Sequence, residues 1–163
     1  MYTAFSTSFG SLENHQKGSI EIIQGDARHY AFSNVFDVAS KSAPYEKVVV
    51  GLNMEYVIET IRAEGVSPWY TCSHDECVIS LDGEVRVDFL KLDVAVQEGD
   101  GTRLAGESPK GKPMGYILLA RGHQCLLPAG CAYRFESSKA STLVQQTIRG
   151  PLSVEKWEAI CEK

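Results

Sequence analysis

Residues 69–85 constrain the fold of this chain more than any other stretch. Trp69-Tyr70-Thr71-Cys72-Ser73-His74-Asp75-Glu76-Cys77-Val78-Ile79 reads as extended chain, and Asp82-Gly83 reads as a tight turn. Val85, Val87 and Phe89 then alternate with Glu84, Arg86 and Asp88 on a returning strand. On one continuous strand Tyr70, Cys72, His74 and Glu76 share a parity and would face the same side. A hydroxyl, a thiol, an imidazole and a carboxylate on one sheet face have the makings of a site, in use or vestigial.

The rest of the chain supplies more short strands. Residues 19–24 carry Ile20, Ile22 and Ile23, residues 28–38 alternate through Tyr30, Phe32, Val35 and Phe36, and residues 47–51 are a β-branched run. In residues 54–62, Glu55 and Glu59 interleave with Met54, Tyr56 and Ile58. Residues 97–115, rich in glycine and charge, read as a long loop. Residues 116–120 read as a buried-type strand, with shorter strands at 124–127, 133–136 and 141–149. Near the end, Ser153 suits a helix N-cap, and Val154, Trp157, Ile160 and Cys161 share a helical face. The expected division is an N-terminal extension at 1–18, a β-barrel at 19–150 and a C-terminal helix at 151–163. Many short strands with glycine-rich turns and one terminal helix indicate an all-β barrel or jelly roll.

A net charge of −5 argues against nucleic acid or an anionic membrane as partner. Apolar runs such as 117–120 are too short to span a bilayer, and residues 1–9 lack the basic start and apolar core of an export signal. Cys72, Cys77, Cys125, Cys131 and Cys161 are odd in number and follow no disulfide framework, so reduced thiols in the cytoplasm are expected.

Two segments resemble the cupin motifs. Cupins carry a first motif G-x5-H-x-H-x3,4-E-x6-G, and here Glu76 is followed after six residues by Gly83, within Asp75-Glu76-Cys77-Val78-Ile79-Ser80-Leu81-Asp82-Gly83-Glu84-Val85. The second motif, G-x5-P-x-G-x2-H-x3-N, is matched by Gly122, Pro128 and Gly130. The resemblance covers residues 45–150 and implies a cupin-type β-barrel. Its metal positions depart from the family: the histidines fall at Tyr70, Cys72 and Tyr133, the asparagine at Ser137, and only Glu76 remains. Tyrosine, with a pKa of about 10, is a poor Fe(II) ligand near neutral pH. His74 and His123, with Cys72 and Glu76, are the alternative ligands, which would suit tetrahedral zinc. Same-side residues on a strand lie about 7 Å apart, however, which spreads Cys72, His74 and Glu76 along a line. A polar interior without metal, in which Tyr70 and Tyr133 bond Glu76 or water, is the expected state.

The whole chain further resembles the small subunit of two-component hydroquinone 1,2-dioxygenases, in size, in its start Met1-Tyr2-Thr3-Ala4-Phe5 and in a first motif without histidines. That resemblance implies an α2β2 heterotetramer with a larger cupin subunit. The larger subunit would hold Fe(II) through His, Glu and His, and the holoenzyme would cleave hydroquinone with O2 to 4-hydroxymuconic semialdehyde. This chain would have no cofactor and no catalytic residue, and would support its partner. Tyr2, Phe5 and Phe9, with Trp157 and Ile160, are the expected partner contacts. Two other classes stay open: an independent metal-dependent cupin using Cys72, His74 and Glu76, and a non-catalytic barrel that binds a small molecule at its mouth.

Overall fold

The computed structural model describes residues 10–16 and 34–160. Within them the chain is an all-β jelly-roll barrel built on one long strand. In chain order the elements are α1 (Val35–Ser40), β1 (Lys47–Asn53), β2 (Tyr56–Val66), β3 (Trp69–Thr71), β4 (Glu76–Ser80), β5 (Val85–Leu92), β6 (Arg103–Gly106), β7 (Gly111–Leu119), β8 (Gln124–Leu127), β9 (Cys131–Ile148), β10 (Ser153–Val154) and α2 (Trp157–Ile160). Strand β9, 18 residues long, pairs antiparallel with β2, β3, β4 and β5. Its first half joins β3 and β5, and its second half joins β4, so one strand bends through both layers.

Two apolar clusters form. Inside the barrel, Ile61, Val78, Val87, Leu127, Phe135 and Leu143 pack around Tyr70 and Tyr133. In the second cluster, Val38 of α1 and Trp157 and Ile160 of α2 pack with Val48, Val49 and Val57. Among the described residues, no helix is long and apolar enough to cross a membrane.

The Asp82-Gly83 turn forms as the sequence suggests. Asp82 is buried and its carboxylate accepts from Thr142 N and from Leu12 N, both at 2.6 Å. Gly83 has φ of 70°, and a Cβ there would lie 2.0 Å from Ser141 Oγ. Gly83→Ala is therefore expected to cost about 2–4 kcal/mol, from left-handed strain plus overpacking, read as a lower urea midpoint at unchanged slope.

Several local expectations are corrected. Residues 35–40 form a helix, because Asn34 Oδ1 caps it by accepting from Phe36 N at 2.9 Å. The strand expected at 19–24 lies outside the described residues. Within 97–115 the structure places β6 and the start of β7, because pairing with β3 and β5 outweighs the glycine content. Ser153 is in β10, parallel to β1, and caps no helix. Its hydroxyl donates to Glu59 Oε1 at 2.6 Å instead, and the helix starts at Trp157.

Two faces are also inverted. Tyr56 and Ile58 point outward while Glu59 is buried with Val57, Ile61 and Ala63, so the polar member of the alternation is the inner one. The 116–120 segment is likewise not of buried type, since Tyr116 and Leu118 are half exposed.

Candidate functional site

The chain breaks strand geometry between the two halves of the first motif. Strand β3 ends at Thr71, β4 begins at Glu76, and residues 72–75 form a bend. The second motif closes over this bend. Gly130 N donates to Cys72 O at 2.9 Å, Ala129 N donates to Asp75 Oδ1 at 2.8 Å, and Tyr70 lies opposite Tyr133 in register. The parity expected for one continuous strand therefore fails, and Cys72, His74 and Glu76 converge, with ligand atoms within 4.8 Å of one another.

Glu76 is fully buried at the centre of a hydrogen-bonded cluster. Its Oε2 accepts from Tyr133 Oη at 2.6 Å, and its Oε1 accepts from Thr102 Oγ1 at 2.5 Å and Gln145 Nε2 at 2.9 Å. Gly101 sets the position of Thr102: a Cβ on it would lie 2.4 Å from Gly150 Cα, so the loop before β6 presses its backbone against the end of β9. Tyr70 contributes its ring, with a centroid 5.7 Å from that of Tyr133.

The cluster continues to a buried cation. Lys47 Nζ donates to Gln145 Oε1 at 2.7 Å, lies 4.8 Å from the Tyr70 ring centroid, and stands 3.9 Å from Glu59 Oε2. Burial pushes the Lys47 ammonium pKa down and that of the Glu59 carboxyl up, and each charge partly opposes the shift of the other. Burial also drives Tyr133 well above its usual range, reinforced by the adjacent Glu76, and raises Tyr70. Both tyrosines are thus neutral phenols.

This interior does not fit the iron site of a cupin. Such a site needs neutral imidazoles and open positions on the metal. Here the corresponding positions hold two neutral phenols and a thiol that burial pushes up to about 11. Both Glu76 oxygens are already taken by donors, and Lys47 supplies the positive charge. The Cys72–His74–Glu76 group is also internally satisfied. Cys72 Sγ donates to Gly101 O at 3.2 Å and lies 3.2 Å from His74 Nδ1, while His74 Nε2 accepts from Ile148 N at 3.3 Å.

His123 is elsewhere, exposed in the β7–β8 turn with Nδ1 accepting from Ala120 N at 3.3 Å. Trp157 and Ile160 are buried on this chain's own β1 and β2, which takes that helix face away from any partner. Tyr2, Phe5 and Phe9 lie outside the described residues. Sequence reasoning missed Lys47, Glu59, Thr102 and Gln145. Parity with buried apolar neighbours signals two of them, Glu59 with Val57 and Ile61 and Gln145 with Leu143, whereas Thr102 sits in a glycine-rich stretch that carries no pattern.

Comparison with known proteins places this architecture. No family model and no curated protein matches the chain. Among solved structures, a chain of hydroquinone 1,2-dioxygenase PnpCD, in complex with Cd2+ and 4-hydroxybenzonitrile, is 66% identical over 100% of both chains, with a TM-score of 0.91. The chain belongs to the hydroquinone 1,2-dioxygenase family. A second hydroquinone 1,2-dioxygenase chain, from Sphingomonas sp. TTNP3 with 4-hydroxybenzoate bound, is 48% identical over 98% of this chain and 99% of that one, with a TM-score of 0.90. A longer chain of hydroquinone 1,2-dioxygenase PnpCD, in complex with Fe3+, shares the fold alone. It is 17% identical over 86% of this chain but only 40% of its own length, with a TM-score of 0.60. A cupin-2 domain protein from Shewanella frigidimarina shares the barrel at 15% identity over 74% of this chain and 98% of that one, with a TM-score of 0.52. Hydroquinone 1,2-dioxygenase PnpCD thus contains two cupin-fold chains of different length, and this chain matches the shorter from end to end.

Proposed function

We propose that this chain is the small, non-iron subunit of a two-chain hydroquinone 1,2-dioxygenase. The 66% identity over the whole of both chains carries the reading. An interior whose only family-type ligand, Glu76, is spent on Tyr133, Thr102 and Gln145 supports it. In this reading the longer cupin chain holds Fe(II), two copies of each chain form the enzyme, and the assembly works in the cytoplasm. The iron of that chain would supply the activation of O2 and of the phenolic substrate. Hydroquinone and O2 give 4-hydroxymuconic semialdehyde, with both oxygen atoms entering the product. This chain's own part is to hold a rigid barrel against its partner and order the partner's site.

The test is co-expression with the longer chain, followed by an absorbance assay of hydroquinone turnover and metal analysis of each chain. Turnover and iron are expected only when the longer chain is present. Turnover by this chain alone, with near-stoichiometric iron, would sink the reading. The convergence of Cys72, His74 and Glu76 favours a second reading, a tetrahedral metal site in this chain. The same metal analysis separates the two, since zinc retained at one per chain and lost in Cys72→Ser supports the second.

A further inference from the structure

We infer that the free edge of β7, together with a row of uncharged side chains running from it to β2, is where the larger cupin chain docks. This rests on the two-chain reading above and names the surface that reading requires.

Strand β7 pairs with β5 alone and β8 with β4 alone among the described residues, and a tight turn joins them. Two unpaired strand edges therefore stand side by side at one corner of the barrel. An edge strand exposes main-chain groups that will pair with another chain unless guarded by charge, proline or cover. Lys112 and Pro113 guard only the start of β7. From Gly115 to Ala120 the sequence Gly-Tyr-Ile-Leu-Leu-Ala has neither charge nor proline, a composition prone to self-association when left open.

Side chains at this corner are apolar and exposed. Met114, Tyr116 and Leu118 on β7 are 53%, 55% and 50% exposed, and Leu126 on β8 is 55% exposed. The Arg86 guanidinium stands 3.8 Å over the Tyr116 ring and holds this aromatic in place before any partner arrives. Leu126 then begins a row in register across four strands, Leu126 on β8, Cys77 on β4, Gln146 on β9 and Ile58 on β2, with no charge in it. Tyr56, beside Ile58, shares a groove of about 140 Å³ with Cys77, Leu126 and Gln146, so the patch is continuous, and His74, Asp75 and Glu76 border the same groove.

Six large apolar side chains, each about half exposed, offer on the order of 600 Å², and with Cys77, Gln146 and the β7 main chain approach the about 800 Å² per partner of a standard interface. Such a patch stands at the upper end of what a lone chain leaves open, the range in which patches mark interaction sites. The occupant assigned is a second, longer cupin barrel, because a chain of that kind accompanies the short one in a relative of this protein.

The test uses the co-expressed complex with a tag on this chain, comparing the unaltered chain with Tyr116→Lys and Leu126→Glu. The unaltered chain is expected to recover the longer chain, and each variant to recover about tenfold less or lower while its own thermal midpoint stays within a few degrees. Recovery at the unaltered ratio in both variants overturns the surface and leaves the two-chain reading standing. No recovery by the unaltered chain overturns both. Should the variants misfold, hydrogen exchange on the unaltered protein decides. Residues 114–119 slowed in the complex relative to the chain alone support the inference, and unchanged exchange there overturns it. A stable dimer of this chain alone, dispersed by Tyr116→Lys, also overturns it by making a second copy the occupant.

Discussion

Lys47→Met is expected to destabilise the chain by about 3–5 kcal/mol, because it leaves Glu59 as a buried carboxyl without its cation and removes the donor to Gln145 Oε1. Lys47→Met combined with Glu59→Leu is expected to recover most of the loss, since the desolvation of both charges disappears with them. Urea titration of the two variants checks this, and a single substitution costing under about 1 kcal/mol would remove Lys47 from any structural role. The pair also leaves a mark on pH dependence. Glu59 is raised above its reference value of 4.5 in the folded chain, so its contribution is fully present below that value and lost as pH rises through the folded pKa. Lys47 is lowered from 10.5, so its contribution is present above that value and lost as pH falls through the folded pKa. Wherever both groups are ionised the pair is at its least favourable, since both carry their desolvation cost. The unaltered chain should therefore gain on the double variant as pH falls through the raised Glu59 value.

The second large effect is at Glu76. Glu76→Ala opens a cavity and strands three buried donors, on Tyr133, Thr102 and Gln145, for a cost of about 3–5 kcal/mol. In a chain of this size that is a thermal midpoint lower by roughly 6–20 °C. Glu76→Gln keeps the volume and is expected to lose less than half as much. The decisive comparison is iron content. If Glu76 is a structural acceptor, the purified complex keeps its iron per longer chain at reduced temperature stability. Loss of iron with an unchanged midpoint would instead make Glu76 a metal ligand.

The barrel was legible because its markers are local. Spacing from Glu76 to Gly83 and from Gly122 to Gly130 fixes turns, and turns need only neighbouring residues. The departures at Tyr70, Cys72 and Tyr133 were legible for the same reason. Which face lies inside was not. The register shifts between Val49 and Gly51 and between Ala63 and Gly65 decide the parity of β1 and β2, and a single added residue reverses it. In the sequence Glu55 and Glu59 interleave with Tyr56 and Ile58, and the alternation alone does not say that Glu59 is the buried member and Tyr56 and Ile58 the outward ones. The convergence of Cys72, His74 and Glu76 was hidden by the bend at 72–75, which no alternation pattern encodes.

Strand β9 has a consequence for how this protein is made. It spans Cys131–Ile148, after all of β2, β3, β4 and β5 in chain order, yet each of these four strands needs it as a neighbour. During synthesis the hairpin of β1 and β2 can pair early, but neither layer of the jelly roll can close until β9 has left the ribosome. Folding is then a late event dominated by contacts distant in sequence, which places it among slow folders. The uncharged run at residues 115–120 precedes β9 in the chain, so it leaves the ribosome before the strand that closes the barrel. Translating the partner chain alongside this one would shorten the period in which that segment can find a copy of itself.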